Sequence, residues 1–150
     1  MFGSDEIASL SGWSTDGLRD LRRRGSLDEI GKPGADGDWR YSRRDAAAMW
    51  LAGIFHERDR GADLRHVFRQ AETLADELLA HLDGRPAKRF AVSTHVRHAD
   101  DEGIGRLTGW SVAWHDSLDA IDMPGLVAIE AIDLRSLARL APDPLRRAPA

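Results

Sequence analysis

Arginine is the residue type with the most chemistry to offer in this chain, and it falls in clusters. Arg19, Arg22, Arg23 and Arg24 form one run, and Arg40, Arg43 and Arg44 a second. A guanidinium stays charged at any working pH and presents a planar fork of donors that fits phosphate and carboxylate oxygens. A single surface arginine usually does no more than solvate a helix face. Two clusters on adjoining elements are a candidate polyanion surface, although the formal net charge of -4 makes their local concentration matter more than the total.

The other group with ligand chemistry is His95-x-x-His98, followed by Asp100, Asp101, Glu102 and later His115. On one strand the odd spacing puts His95 and His98 on opposite faces, which disfavours a shared ion, so no metal site is expected. The chain has no cysteine, which excludes disulfides, thiolate metal sites and cysteine nucleophiles. No nucleophile–base pair, phosphate-cradling glycine loop or carboxylate dyad stands out. Neither enzymatic activity nor a cofactor is expected.

The elements that must position these residues follow from capping and periodicity. Ser4 is placed to cap a short helix ended by Ser11-Gly12, and Ser14 to cap a second, with Leu18 and Leu21 inward and Gly25 closing it. Gly31, Pro33, Gly34 and Gly37 punctuate the next segment. Its ends, Leu27 to Ile30 and Trp39 to Tyr41, are expected to pair as short strands. Ser42 caps a third helix in which Ala46, Met49, Trp50, Gly53 and Ile54 recur at helical spacing, broken at 58–63. A longer helix over 64–82 carries Val67, Ala71, Leu74, Leu78 and Leu82 near a 3.5-residue period. That stripe suits either a helix-pairing seam or the core of its own subunit. Leu10, Leu18, Leu21, Trp50 and Ile54 are assigned to the core, Trp13 to a core plug with one exposed edge, and Trp39 to burial against the third helix.

Asp83-Gly84-Arg85-Pro86 is the strongest boundary, because Gly and Pro stop the helix. Beyond it Phe90, Val92, Thr94 and Val96 alternate as a strand, 107–114 alternates less strictly, and 125–132 is a third strand candidate. Trp110 and Trp114 share a face if they lie on one strand, either as the core of a small sheet or as a pocket or self-association surface. Asp133 caps a helix Leu134 to Leu140, and 142–150 reads as a flexible tail. With 42% hydrophobic and 31% charged residues and no apolar run of spanning length, the composition is that of a soluble, cytoplasmic protein without a membrane partner.

The run Ile7-Ala8-x-Leu10-x-Gly12-Trp13-Ser14-x-x-x-Leu18-Arg19, continued by Leu21-Arg22-Arg23-Arg24-Gly25-Ser26-Leu27, resembles the opening of a MerR-type domain. Asp36-Gly37-Asp38-Trp39-Arg40-Tyr41-Ser42 occupies the place of that family's wing. The resemblance covers about the first 80 residues. It departs from the pattern at Asp20 and Leu21, where the family carries aromatics, and at Asp38 and Trp39, where it carries an aromatic and an arginine. The fold implied is α+β: residues 1–83 as a winged helix-turn-helix with a linking helix at 64–82, then 84–141 as a small α+β dimerisation or sensing region with an antiparallel sheet.

The resemblance implies that the second helix lies in the major groove of double-stranded DNA. Ser14, Thr15, Asp16 and Arg19 are then nearest the bases, with Arg19 suited to guanine and Asp16 to cytosine. Arg22, Arg23, Lys32, Arg40 and Arg43 are expected at phosphates, and Tyr41 is a further DNA-binding candidate. The function implied is a sequence-specific transcriptional regulator acting as a homodimer, with an unidentified effector. Two alternatives stand beside it: a phage-related DNA-binding factor, excisionase-like or small-terminase-like, and a protein-interaction module in which Asp20 and Asp38 repel DNA.

Overall fold

Capping chemistry sets the N-terminal elements. The computed structural model describes residues 1–98, 106–107, 112–119, 121 and 126–147. Helix α1 spans Ser4–Ser11, and Gly3 rather than Ser4 is its N-cap. The Glu6 carboxylate reaches back to accept from the Gly3 N–H at 2.8 Å, the half of a capping box that satisfies the N-cap residue's own donor. Gly12 ends the helix with φ of 75°, the left-handed conformation that glycine adopts without steric cost. After a three-residue turn comes α2 (Thr15–Arg23), where the Ser14 hydroxyl accepts from the Gly17 N–H at 3.0 Å. Gly25 and Ser26 close α2 by donating to the carbonyls of Arg22 and Leu21, the paired bonds of a Schellman ending.

The short hairpin differs from the expected pairing. Leu27 and Ile30 lie in turns and are buried, and the strands are β1 (Lys32–Pro33) and β2 (Trp39–Arg40), antiparallel with Lys32 opposite Arg40. Two apolar side chains drawn into the core left the pairing to the residues beyond Gly31. At its root, Tyr41 and Phe2 exchange backbone hydrogen bonds of 2.8 and 2.9 Å, fastening the N-terminus to the hairpin.

Helix α3 (Arg43–Arg58) begins with a capping box between Ser42 and Asp45, and α4 (Leu64–Leu82) with the Asp63 carboxylate. The two pack along their lengths, and α3 is buried nearly all round between α1 and α4. Gly53 of α3 is where α1 comes closest: a Cβ there would lie 3.0 Å from the Ser11 carbonyl carbon and nearer still to its oxygen. Val67, Ala71, Leu74 and Leu78 of α4 are buried inside this one chain, with Leu82 packed at the edge, so the stripe serves its own core. Leu18, Leu21 and Trp50 are buried, with Leu10 and Ile54 packed against them. Trp13 plugs the turn: its ring stacks on His56 at 4.7 Å and faces Phe68 at 6.1 Å.

Beyond Gly84, β3 (Phe90–His98) pairs antiparallel with β4 (Arg106–Leu107), β5 (Val112–His115) and β6 (Leu126–Asp133), with a register shift after His95. Helix α5 (Leu134–Leu140) follows, its N-cap Asp133 accepting from the Ser136 N–H, and docks on α4. The chain is thus a mixed α+β protein, with six helices among the described residues and a small antiparallel sheet.

The flexible tail is corrected for 142–147. Helix α6 (Asp143–Arg146) turns Leu145 fully into the core, and Ala141 is buried beside it. An amphipathic turn this short carries no periodicity to read, and its stability comes from what it covers. One cluster of buried side chains runs from Phe2 through α3 and α4 to Ala91, Leu134 and Leu145, so packing continues across the Gly84 break. No helix among the described residues is long and apolar enough to cross a membrane.

Candidate nucleic-acid interface

Helix α2 shows its polar face because its apolar one is spent on Leu18 and Leu21. Asp16, Arg19 and Arg23 are exposed, and Thr15 is half-buried. The hairpin stands beside this face, and Arg22 fixes the two together. Its Nη1 donates to the Leu27 carbonyl at 3.3 Å, and its Nη2 to the Ile30 carbonyl and the Tyr41 hydroxyl, both at 3.1 Å. Its guanidinium carbon lies 3.2 Å from the centre of the Trp39 ring. Carbonyl oxygens on one edge and an aromatic face below are the partners that a planar cation satisfies best.

Three of the expected DNA contacts, Arg22, Tyr41 and Arg43, are engaged by the protein's own groups instead. Arg22 has its fork committed inside the protein. Tyr41 is 1% exposed, with its hydroxyl accepting from Arg22. Arg43, whose side chain is 12% exposed, donates from Nε to the Leu145 carbonyl and from Nη1 to Asp83, each within 2.8 Å. It ties the start of α3 to α6 and to the end of α4. Arg22 and Tyr41 still border one open cleft of about 710 Å³, bounded by the first turn of α1, by α2 and by β2. Thr15, Arg19, Trp39 and Arg40 line it, together with Asp5, Glu6 and Asp38. Ser14 is committed to capping α2, and Lys32 is exposed on β1. Trp39, expected against α3, lies beneath the Arg22 guanidinium.

The electrostatics of this face are balanced. Arg19 pairs with Asp16 at 2.8 Å, Asp20 takes both Arg23 and Arg24, and Arg40 pairs with Asp36. The backbone N–H of Asp38 does most to hold the Asp36 carboxyl below its ordinary range; desolvation opposes it, and Arg40 adds to the lowering. Exposed pairs of this kind are worth at most about 1 kcal/mol, so a phosphate can displace the carboxylates at small cost. They do cancel much of the long-range field that would draw a duplex in.

The histidine cluster falls mostly out of view. His95 and His98 both lie on β3, and Asp100, Asp101 and Glu102 are outside the described residues, as is Trp110. Trp114 is half-buried and packs against the core. The role of Arg22 was missed by sequence reasoning, although the aromatic pair Trp39-x-Tyr41 downstream of an arginine-ended helix was its signal. No protein-family model matches this chain and no curated protein matches it, so a functional reading has to rest on the geometry above.

Proposed function

We propose that the N-terminal region works as a MerR-like winged helix-turn-helix and that the protein is a sequence-specific, double-stranded-DNA-binding regulator. One observation carries this reading. The Arg22 clamp holds α2 and the β1–β2 hairpin as a single rigid unit, with Thr15, Asp16, Arg19 and Arg23 on the helix and Lys32 and Arg40 on the hairpin. A helix and an adjoining two-stranded wing locked at fixed spacing is the device by which such modules put one element in the major groove and another on the flanking backbone. Arg19, exposed on the first turns of α2, reads bases; Arg40 and Lys32 meet phosphates. A palindromic site would require a homodimer, and since the α4 stripe is buried within the subunit, the pairing surface lies elsewhere.

The test is duplex binding by fluorescence anisotropy, across sequences and salt concentrations. Arg19→Ala weakens binding and narrows the difference between preferred and random duplex. Arg40→Ala weakens all duplexes alike and lowers the salt slope by about one unit. If both variants bind as the parent does, the assignment of groove and backbone contacts is wrong.

A second reading is favoured by the acid–arginine pairs. A face on which Asp16, Asp20 and Asp36 already neutralise the arginines also suits a protein partner with mixed charge, as an interaction module built on the same frame. This reading gives no binding of random duplex even at low salt.

A further inference from the structure

Among the described residues, Arg19, Arg23 and Arg24 at α2 are paired with acids, and positive charge without an acidic partner is found away from that helix. At the junction of α4, α5 and α6 a groove of about 420 Å³ is lined by His81, Arg85, Arg135, Arg139 and Arg146, with no acidic residue in its lining. Arg146 is held by carbonyls that end α5, donating to Ala141 and to Arg139. Arg85 makes one long contact with Asp83, at 3.4 Å. Arg135 and Arg139 are exposed and form no ion pair with any described residue, in contrast to Arg19, Arg23, Arg24 and Arg40. They stand four apart on α5, where like charges face each other and destabilise the helix. A repulsion with no internal compensation, facing a groove free of carboxylates, is what an anion-binding surface requires.

We infer that this groove is a second phosphate-backbone contact, gripping the same duplex whose groove α2 is proposed to enter; the inference rests on that reading. Position argues for this ligand. Arg43, at the start of α3 and three residues beyond the hairpin, shares the Asp83 carboxylate with Arg85 and bonds the Leu145 carbonyl. Through Arg43 the basic groove thus adjoins the start of α3, the element that follows the hairpin directly in the chain. Arg135 and Arg139 carry no sequence information in this role. They supply charge, which the neutralised face of α2 lacks.

The experiment compares the parent, Arg135→Gln/Arg139→Gln and Arg135→Lys/Arg139→Lys by anisotropy on a duplex of about 30 base pairs, from about 50 to about 200 mM salt. Loss of two phosphate contacts lowers the slope of log affinity against log salt by about 1.8, so the fall in affinity over that range shrinks about twelve-fold. The lysine pair retains the parent slope, because a backbone contact needs charge rather than a fork. An unchanged slope in the glutamine variant, with the parent binding, overturns the groove and leaves the α2 reading standing. A parent that binds no duplex at low salt overturns both. Loss of slope on the glutamine change, together with parental affinity and parental sequence preference in Arg19→Ala, overturns the inference that the groove grips the same duplex as α2. Both α5 substitutions are at exposed positions, so unchanged thermal melts separate lost contact from lost fold.

Discussion

Replacing Gly53 with alanine should destabilise this protein, although the same change in an ordinary helix interior stabilises it by up to about 1 kcal/mol. The added Cβ would lie 3.0 Å from the Ser11 carbonyl carbon and 3.3 Å from its Cα, with the carbonyl oxygen nearer than either. All three are backbone atoms, so no side chain can swing aside, and α1 itself must move off α3. It is held there by the fully buried Ile7 and by the Phe2–Tyr41 backbone bonds that anchor its entry. Overpacking of a core contact costs about 1–3 kcal/mol and more where the atoms are rigid. Set against the gain in helix propensity, the net loss is about 2 kcal/mol, or about 4–8 °C in Tm for a chain of this size. Circular dichroism melts and urea denaturation of the parent and Gly53→Ala measure it. A Tm equal to or above the parent's would refute the reasoning, because it would mean that α1 and α3 do not approach as closely as described.

Arg22→Lys keeps the charge but loses the fork: a single ammonium cannot serve the Leu27 and Ile30 carbonyls, the Tyr41 hydroxyl and the Trp39 face together. A loss of about 2–3 kcal/mol in urea denaturation, with faster amide exchange in the hairpin, is expected, and parental values would show the clamp to be dispensable. Asp133 is held at about 2, chiefly by its hydrogen bond from Arg89, with burial opposing and the Ser136 N–H assisting. Because that value is depressed below the ordinary one, its stabilisation is complete above about pH 4 and is lost as pH falls toward 2. Asp133→Asn, which still caps α5 but loses the charge held by Arg89, should flatten the acid limb of a stability–pH curve over that window and cost about 2 kcal/mol at neutral pH; an unaltered acid limb would remove Asp133 as its source.

How much was legible depended on whether a feature was local. Ser14, Ser42, Gly25 and Asp133 mark the element ends they were expected to mark, because a cap is a bond between residues three or four apart. The apolar spacing of Leu18, Leu21 and Trp50 identified inward faces for the same reason. Where two local choices competed, sequence was a poorer guide. Ser4 and Gly3 both suit an N-cap, and Glu6 tipped the balance; Leu27 and Ile30 have strand composition, but burial beneath the hairpin took precedence over pairing.

The fate of the arginines could not be read from one dimension. Arg22, Arg23 and Arg24 are adjacent and chemically identical, yet the first is clamped inside and the other two share a surface aspartate, because helical rotation sends neighbours about 100° apart. Arg43 sits in a basic run but bonds residues 40 and 102 positions away, contacts that exist only once α4 and α6 have docked. Arg135 and Arg139 gave no signal on their own and became a groove only by facing His81 and Arg146 across a tertiary junction. The sequence by itself determined where α2 to α5 start and stop, which of their faces are apolar and where positive charge is stored. Tertiary structure alone decided which of those charges are committed inside the protein, which are neutralised at its surface and which remain available to a ligand, since a charge is fixed by the residue but its partners are fixed by the fold.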